Sequence, residues 1–322
     1  MPSPRVVSLL PSATEALCAI GAGDLLVGRS HECDFPGGLE HLPVLTGQRT
    51  HATTSAAIDA EVRAVRDAAE AEIAAEADAD AGEGPSPAAS LYTLDVEQLR
   101  SLQPDVILTQ DLCDVCSIDL RTVRGVAATL DPSPEIVSLN PASLEDVLDD
   151  LLTVGAAVDR AAEAHTAMVR LRESWWSAID YVNPYVDGPE VAFLEWLDPI
   201  FVGGHWTPQL ITLAGASHSL NAAGGKSITV TPDALVASAP QRLILCPCGW
   251  SIAETRRDLA AVTGTDWWNE LPAVREQAVV IVDGNQMFNR PGPRLVDALR
   301  WLVGWLNDRP DVVPDGFPVE QL

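Results

Sequence analysis

Short apolar runs closed by polar residues recur along this chain, and they predict buried strands. Val6 to Leu10, Leu25 to Arg29, Val106 to Thr109 and Ile136 to Leu139 form a first group. Val191 to Trp196, Ile200 to Val202, Leu243 to Cys246 and Val279 to Val282 form a second. Their apolar residues are consecutive rather than alternating, which marks strands covered on both faces, as in parallel sheets. Between the runs the period changes. Ser12 reads as a helix cap with Glu15 three residues on, Leu17 and Ile20 as its apolar face, and Gly21 and Gly23 as its end. Ile58 to Ala77 has helical spacing. Ser143 opens another helix with Asp146 three residues later, and the spacing runs on through Leu144, Leu151, Val158 and Val169 to Trp175 and Ile179. That exceeds the usual roughly 8–20 residues and predicts one long helix. The sustained heptads of a coiled coil are missing. Leu295 to Leu306 is the last predicted helix.

The expected fold class is therefore α/β, with two Rossmann-like lobes of parallel sheet joined by one long backbone helix. The boundaries are residues 1–140, 141–182 and 183–322. Residues 78–89, rich in Asp, Ala, Gly, Ser and Pro, predict an exposed mobile insertion in the first lobe. A single bracing helix predicts small closure on binding rather than a wide hinge.

Charge sharpens this picture. The 322 residues carry 46 acidic and 20 basic side chains, a net charge of -26, and Lys226 is the single lysine. Such a surface repels nucleic acid and anionic lipid, which excludes both as partners. Extreme acidity almost without lysine fits a halophilic, salt-adapted protein of the haloarchaeal kind; an acidic protein from a high-GC mesophile is the other reading. No secretory signal precedes the first strand, and no segment reaches the roughly 20 apolar residues of a membrane span. The chain as written reads as cytoplasmic, without membrane insertion; a start upstream of Met1 would make it extracellular.

Four stretches carry a resemblance: Pro11-Ser12-Ala13-Thr14-Glu15, His31-Glu32-Cys33-Asp34-Phe35-Pro36, Pro104 to Gln110, and Asp283-Gly284-Asn285. Together they resemble the helical-backbone class of substrate-binding proteins, which serve ABC importers of cobalamin and iron chelates. Within it the chain looks most like a cobalamin-binding branch without an export signal, and the likeness covers nearly its whole length. The resemblance implies a non-catalytic protein that holds a corrinoid, cobalamin, in a cleft between two lobes, with an ABC importer permease as partner. An iron chelate, haem or bare metal is the alternative ligand.

The candidate residues follow from where open parallel sheets bind ligands, at the loops beyond the strands' carboxyl ends. The first lobe offers Pro11, Ser12, Ser30, His31 and Gln110. The second offers Glu195, Trp196, His205, Trp206, Trp250, Asn285, Phe288 and Arg290. Trp196, Trp206 and Trp250 are candidate walls for a large planar ligand, with core packing as the competing role. Gln110, Asn285 and Gln209 suit an amide fringe. His31 and His205 are candidate metal ligands, including for the cobalt of a corrinoid, or are held by nearby carboxylates. Arg290 either binds an anionic ligand group or pairs with an acid.

Cys33, Cys113, Cys116, Cys246 and Cys248 are candidate ligands for zinc or an iron–sulfur cluster. A redox pair and inert thiols are the other readings, and the Cys246-Pro247-Cys248 spacing is a poor tetrahedral chelate. A metal- or thiol-dependent enzyme or metallochaperone built on them is the alternative of a different class. No nucleophile elbow, Walker loop or paired acid and base is present to assemble a catalytic set.

Overall fold

The computed structural model describes residues 3–49, 52–77, 91–111, 118 and 120–322. The chain divides into two compact units. The first holds residues 1–53, 57–141 and 148–169; the second holds 54–56, 142–147 and 170–322.

Up to residue 141 the order is β1 (Val6–Ser8), α1 (Pro11–Ala19), β2 (Leu26–Arg29), β3 (Thr46–Gln48), α2 (Ser55–Ala77), β4 (Tyr92–Leu94), α3 (Val96–Leu102), β5 (Val106–Thr109), α4 (Leu120–Ala127) and β6 (Glu135–Ser138). Four of these strands make one sheet in the order β2-β1-β5-β6, parallel throughout. Strands β3 and β4 pair separately and antiparallel. Val7, Leu9, Leu99, Ile107 and Val123 share one buried cluster. The expected insertion at 78–89 lies outside the described residues.

Helix α1 starts earlier than expected. Leu10 is the extended N-cap residue and Pro11 stands in the first turn, with no side-chain cap. Proline suits that position because its missing N–H would be unsatisfied there anyway. Ser12 is thus inside the helix and buried rather than capping it. The helix ends as expected, with Gly21 at φ +75° and the N–H of Ala22 reaching back to the Leu17 carbonyl. That left-handed stop is cheap only for glycine.

The single backbone helix over 141–182 needs correction. There are two helices, α5 (Leu144–Ala157) and α6 (Ala161–Ile179). Asp159 takes a left-handed φ of +56°, the Arg160 N–H bonds to the Gly155 carbonyl at 2.7 Å, and the Arg160 carbonyl starts α6 by accepting from Ala164. Gly155 has no side chain where one would overlap Ala164. Apolar spacing runs unbroken through Val158, so periodicity alone hides the stop. The start of α5 is as predicted: Ser143 Oγ accepts from the Asp146 N–H, and the Asp146 carboxylate accepts from the Ala142 and Ser143 N–H groups. Of α6, residues 161–169 count with the first unit and 170–179 with the second.

The rest of the second unit runs β7 (Val191–Leu197), β8 (Ile200–Val202), α7 (Thr207–Leu213), β9 (Ile228–Thr229), α8 (Pro232–Ala237), β10 (Arg242–Leu245), α9 (Ile252–Leu259), α10 (Asp266–Glu270), α11 (Pro272–Arg275), β11 (Val279–Val282), α12 (Leu295–Leu306) and β12 (Val319–Gln321). Its sheet order is β12-β11-β10-β7-β8-β9. Strands β7, β10 and β11 are parallel, whereas β8, β9 and β12 run antiparallel to their neighbours. The expectation of a wholly parallel second sheet is corrected here. Only Asp198 and Pro199 separate β7 from β8, and so short a link permits only a hairpin. One face buries Leu194, Leu243, Leu245 and Ile281. Phe193 packs on Phe288 (5.0 Å between centroids), and Phe288 meets the edge of Trp301 at 5.9 Å. Among the described residues no helix is long and apolar enough to cross a membrane.

Candidate functional site

Because β1, β2 and β5 are parallel neighbours, Pro11, Ser12, Ser30, His31 and Gln110 all follow strand ends at one edge of the first sheet. Thr46 organises this edge. Its hydroxyl lies 2.9 Å from Ser30 Oγ and 2.8 Å from His31 Nδ1, and it accepts the His31 N–H at 3.2 Å. His31 also leans on Tyr92, 5.8 Å between ring centroids. Burial pushes its pKa below the ordinary histidine value. Its Nε2 is buried and has no hydrogen-bond partner among the described residues, and the same is true of Thr109 Oγ1 at the end of β5. Gln110 is buried. Asn140 accepts the Asp111 N–H at 2.6 Å through Oδ1. Sequence reasoning missed Thr46, Thr109 and Asn140; a lone threonine at a strand end has no spacing that announces it.

The second unit builds its edge differently. The loops after β10 and β11 interlock through two backbone bonds: Gly249 N–H to the Gly284 carbonyl at 3.1 Å, and Gly284 N–H to the Trp250 carbonyl at 2.8 Å. A Cβ on Gly284 would overlap the Pro247 carbonyl, so this crossing admits glycine alone. Asn289 completes it, donating to the Cys246 and Gly284 carbonyls at 3.0 Å each. Asp283 accepts the Asn285 N–H at 2.9 Å, which fixes the turn that carries Asn285.

Trp250 (8% exposed) packs against the less buried Trp196, with ring centroids 4.8 Å apart. The Trp196 indole N–H donates to the Ser55 carbonyl at 3.0 Å. Trp206 is also buried, at 7% exposed, and donates to the Phe288 carbonyl at 2.7 Å. That contact returns the Trp206 segment to the β11 loop, although β8 runs opposite to β7 and β11. Trp206 and Trp250 therefore present little free face, and Trp196 presents more. Gln209 is spent on structure: Oε1 accepts the Leu144 N–H at 2.9 Å and Nε2 donates to Glu145 at 2.6 Å. Arg290 is buried, as is Arg294, which donates to Gln286 at 2.8 Å.

Glu195 and Trp196 lie within β7 rather than in a loop beyond it, and Glu195 holds the neighbouring loops. Its carboxyl accepts from the Ser227 hydroxyl and the Gly204 N–H; burial outweighs both and pushes its pKa up to about 7. His205 stands at φ +50° and stacks on Trp206 at 5.4 Å. Burial, and then the charge of Lys226, hold its pKa below the ordinary value.

The cysteines do not assemble among the described residues. Cys33 is buried and accepts from Thr14 Oγ1 at 3.0 Å. Cys246 is buried, and burial, reinforced by Cys248 and nearby carboxylates, pushes its thiol well above the usual range. Cys248 is exposed. Cys113 and Cys116 lie outside the described residues. Among the described residues no three or more His, Cys, Asp or Glu side chains gather to hold a metal ion. A protonated buried thiol such as Cys246 is a poor nucleophile. What the edges do offer is aromatic surface, amides and hydroxyls.

Comparison with known proteins agrees with this layout. The model of a family described as "Periplasmic binding protein" matches residues 6–285. Among solved structures, the periplasmic vitamin B12 binding protein BtuF of Vibrio cholerae is similar, with 18% identity, 96% of this chain and 98% of that chain covered, and a TM-score of 0.63. A periplasmic haem binding protein from Pseudomonas aeruginosa has 17% identity, 95% and 93% coverage, and a TM-score of 0.68. An ABC-type Fe3+-hydroxamate transport system protein from Saccharomonospora viridis has 15% identity, 94% and 93% coverage, and a TM-score of 0.62. No curated protein matches the chain. With the family model matching residues 6–285, most of the chain, this chain belongs to the periplasmic binding protein family, whose members bind small-molecule ligands and work with ABC importers.

Proposed function

We propose that the protein is a non-catalytic binder of a corrinoid, cobalamin in particular, and that it hands this ligand to an ABC importer permease. The observation that carries the choice of ligand is the makeup of the loop edges. They hold the Trp196–Trp250 pair and the amide of Asn285, with Gln110 and Ser30 buried behind the first edge, while Tyr92 is buried against His31, Tyr181 and Tyr185 precede β7, and Arg290 is buried. A corrin ring is broad, partly apolar and fringed with amides, which suits aromatic surface and amide partners. Ligands with several anionic groups call for arginine and tyrosine, and these edges are poor in both. The vitamin B12 binding neighbour supports the reading; the haem and hydroxamate neighbours support the fold equally and mark the ligands it must outcompete.

On this reading Trp196 is the principal stacking surface, Trp250 backs it, and Trp206 sets the loop that carries His205. Size-exclusion chromatography after mixing with cobalamin, haemin or a ferric hydroxamate tests the choice. Stoichiometric corrin absorbance should travel with the protein, and haemin and hydroxamate should separate from it. Co-elution of haemin or hydroxamate but not cobalamin would contradict the ligand while leaving the family intact.

A further inference from the structure

We propose that Lys226, with His205 beside it, forms an anion-binding spot on the second unit that receives a phosphate or carboxylate on the periphery of the ligand. The inference rests on the binding function proposed above and adds a charged contact to it.

Lys226 is the only lysine in a chain with 46 acidic residues. Arginines here find carboxylates readily: Arg63 with Asp59, Arg100 with Glu97, Arg256 with Glu320, Arg309 with Asp311. Lys226 has no ion pair among the described residues, and its side chain is exposed. An unpaired cation in so acidic a chain is a local exception to a field that repels anions.

The backbone beneath it is held from several sides. Gly204 lies so close to residues 225–227 that a Cβ there would overlap the Lys226 and Ser227 backbone. The His205 N–H donates to the Gly225 carbonyl at 2.5 Å, and the Gly224 N–H to the His205 carbonyl at 2.8 Å. Asn221 Nδ2 donates to the Lys226 carbonyl at 2.9 Å and to the Gly203 carbonyl at 3.2 Å. Ser227, the next residue, donates to Glu195 at the carboxyl end of β7. The main chain around Lys226 is thus fixed to the proposed ligand edge while its ammonium stays free. His205 is near enough to feel the ammonium's charge, and its ring is oriented by stacking on Trp206. An ammonium is a point charge that suits phosphate, and an adjacent imidazole supplies a second donor.

Cobalamin carries one phosphodiester; cobinamide is the same corrin without the nucleotide arm. Titration of both into wild type, Lys226→Gln and Lys226→Arg tests the spot. Lys226→Gln should weaken cobalamin about tenfold, a loss of about 1.4 kcal/mol, and leave cobinamide within about twofold. Lys226→Arg should keep most of the affinity. Equal cobalamin affinity in wild type and Lys226→Gln would overturn the proposal. A second readout uses the lysine's uniqueness. With an amine-acylating reagent, saturating cobalamin should slow modification at Lys226 and not at the amino terminus. Unchanged labelling would overturn the proposal. Should neither corrinoid bind wild type, the corrinoid reading fails alone, and haemin, whose anions are carboxylates, replaces cobalamin in the labelling experiment. Protection by haemin supports the anion spot; no protection by haemin sinks it.

Discussion

The two loop edges solve the same problem in different ways. In the first unit, an all-parallel sheet ends in small polar side chains organised around one hydroxyl, Thr46, and leaves Thr109 Oγ1 and His31 Nε2 buried without partners among the described residues. In the second unit, a mixed sheet ends in loops tied backbone to backbone through Gly284 and filled by paired tryptophans. Backbone ties are indifferent to most side-chain changes but intolerant at the crossing point. Side-chain networks behave the other way round, losing a little at each position. The difference teaches where substitution tests fold and where it tests binding.

The strongest test of that contrast is Gly284→Val. Its side chain has no space beside the Pro247 carbonyl, so the loops after β10 and β11 must separate. We expect a loss above about 3 kcal/mol in urea unfolding, in the range reserved for backbone strain and overpacking. A loss under about 1 kcal/mol would break the picture of a locked edge. Trp206→Phe comes next. It keeps the ring stack but removes the donor to Phe288, which should cost about 1–2 kcal/mol, read by the same method. The first unit should respond less at its orphan position. Thr109→Val replaces an unpartnered buried hydroxyl by a methyl of similar shape, so stability should stay within about 0.5 kcal/mol or rise.

Glu195 adds a pH-dependent contrast. Glu195 has its folded pKa raised to about 7, against an unfolded value near that of an ordinary glutamate. Between those values the folded state binds more protons than the unfolded one, so its contribution to stability falls as pH rises from about 4.5 to 7. Glu195→Gln removes that slope. Melting temperatures of wild type and Glu195→Gln should therefore diverge with pH across this window, the wild type losing ground as pH rises; parallel curves would show that Glu195 is not held above its usual range. Added potassium chloride should raise both melting temperatures by screening a net charge of -26.

Much of the sheet structure was legible because it rests on local composition. The runs 106–109, 200–202 and 279–282 match β5, β8 and β11, and Leu295–Leu306 matches α12. What stayed hidden depends on single backbone choices. Asp159 in a left-handed conformation breaks a helix whose apolar spacing continues, and Leu10 takes the N-cap position expected of Ser12, with Pro11 opening the helix. β12 carries one apolar residue, Val319, and exists because β11 offers it an edge. The loop residues were legible by type but not by burial. Trp206 and Trp196 look alike in sequence; only the Phe288 carbonyl and the β8 hairpin separate a loop-setting tryptophan from a more accessible one. Thr46 gave no signal because its role depends on Ser30 and His31 meeting it across loops.

The measurement that tests the account most directly is a calorimetric titration of cobalamin into the wild type and Trp196→Ala, in concentrated salt and reducing buffer. The account predicts saturable one-to-one binding to the wild type and at least about tenfold weaker binding to the variant, with its fold retained. Absence of cobalamin binding to the wild type, or equal affinity in the two proteins, would contradict it.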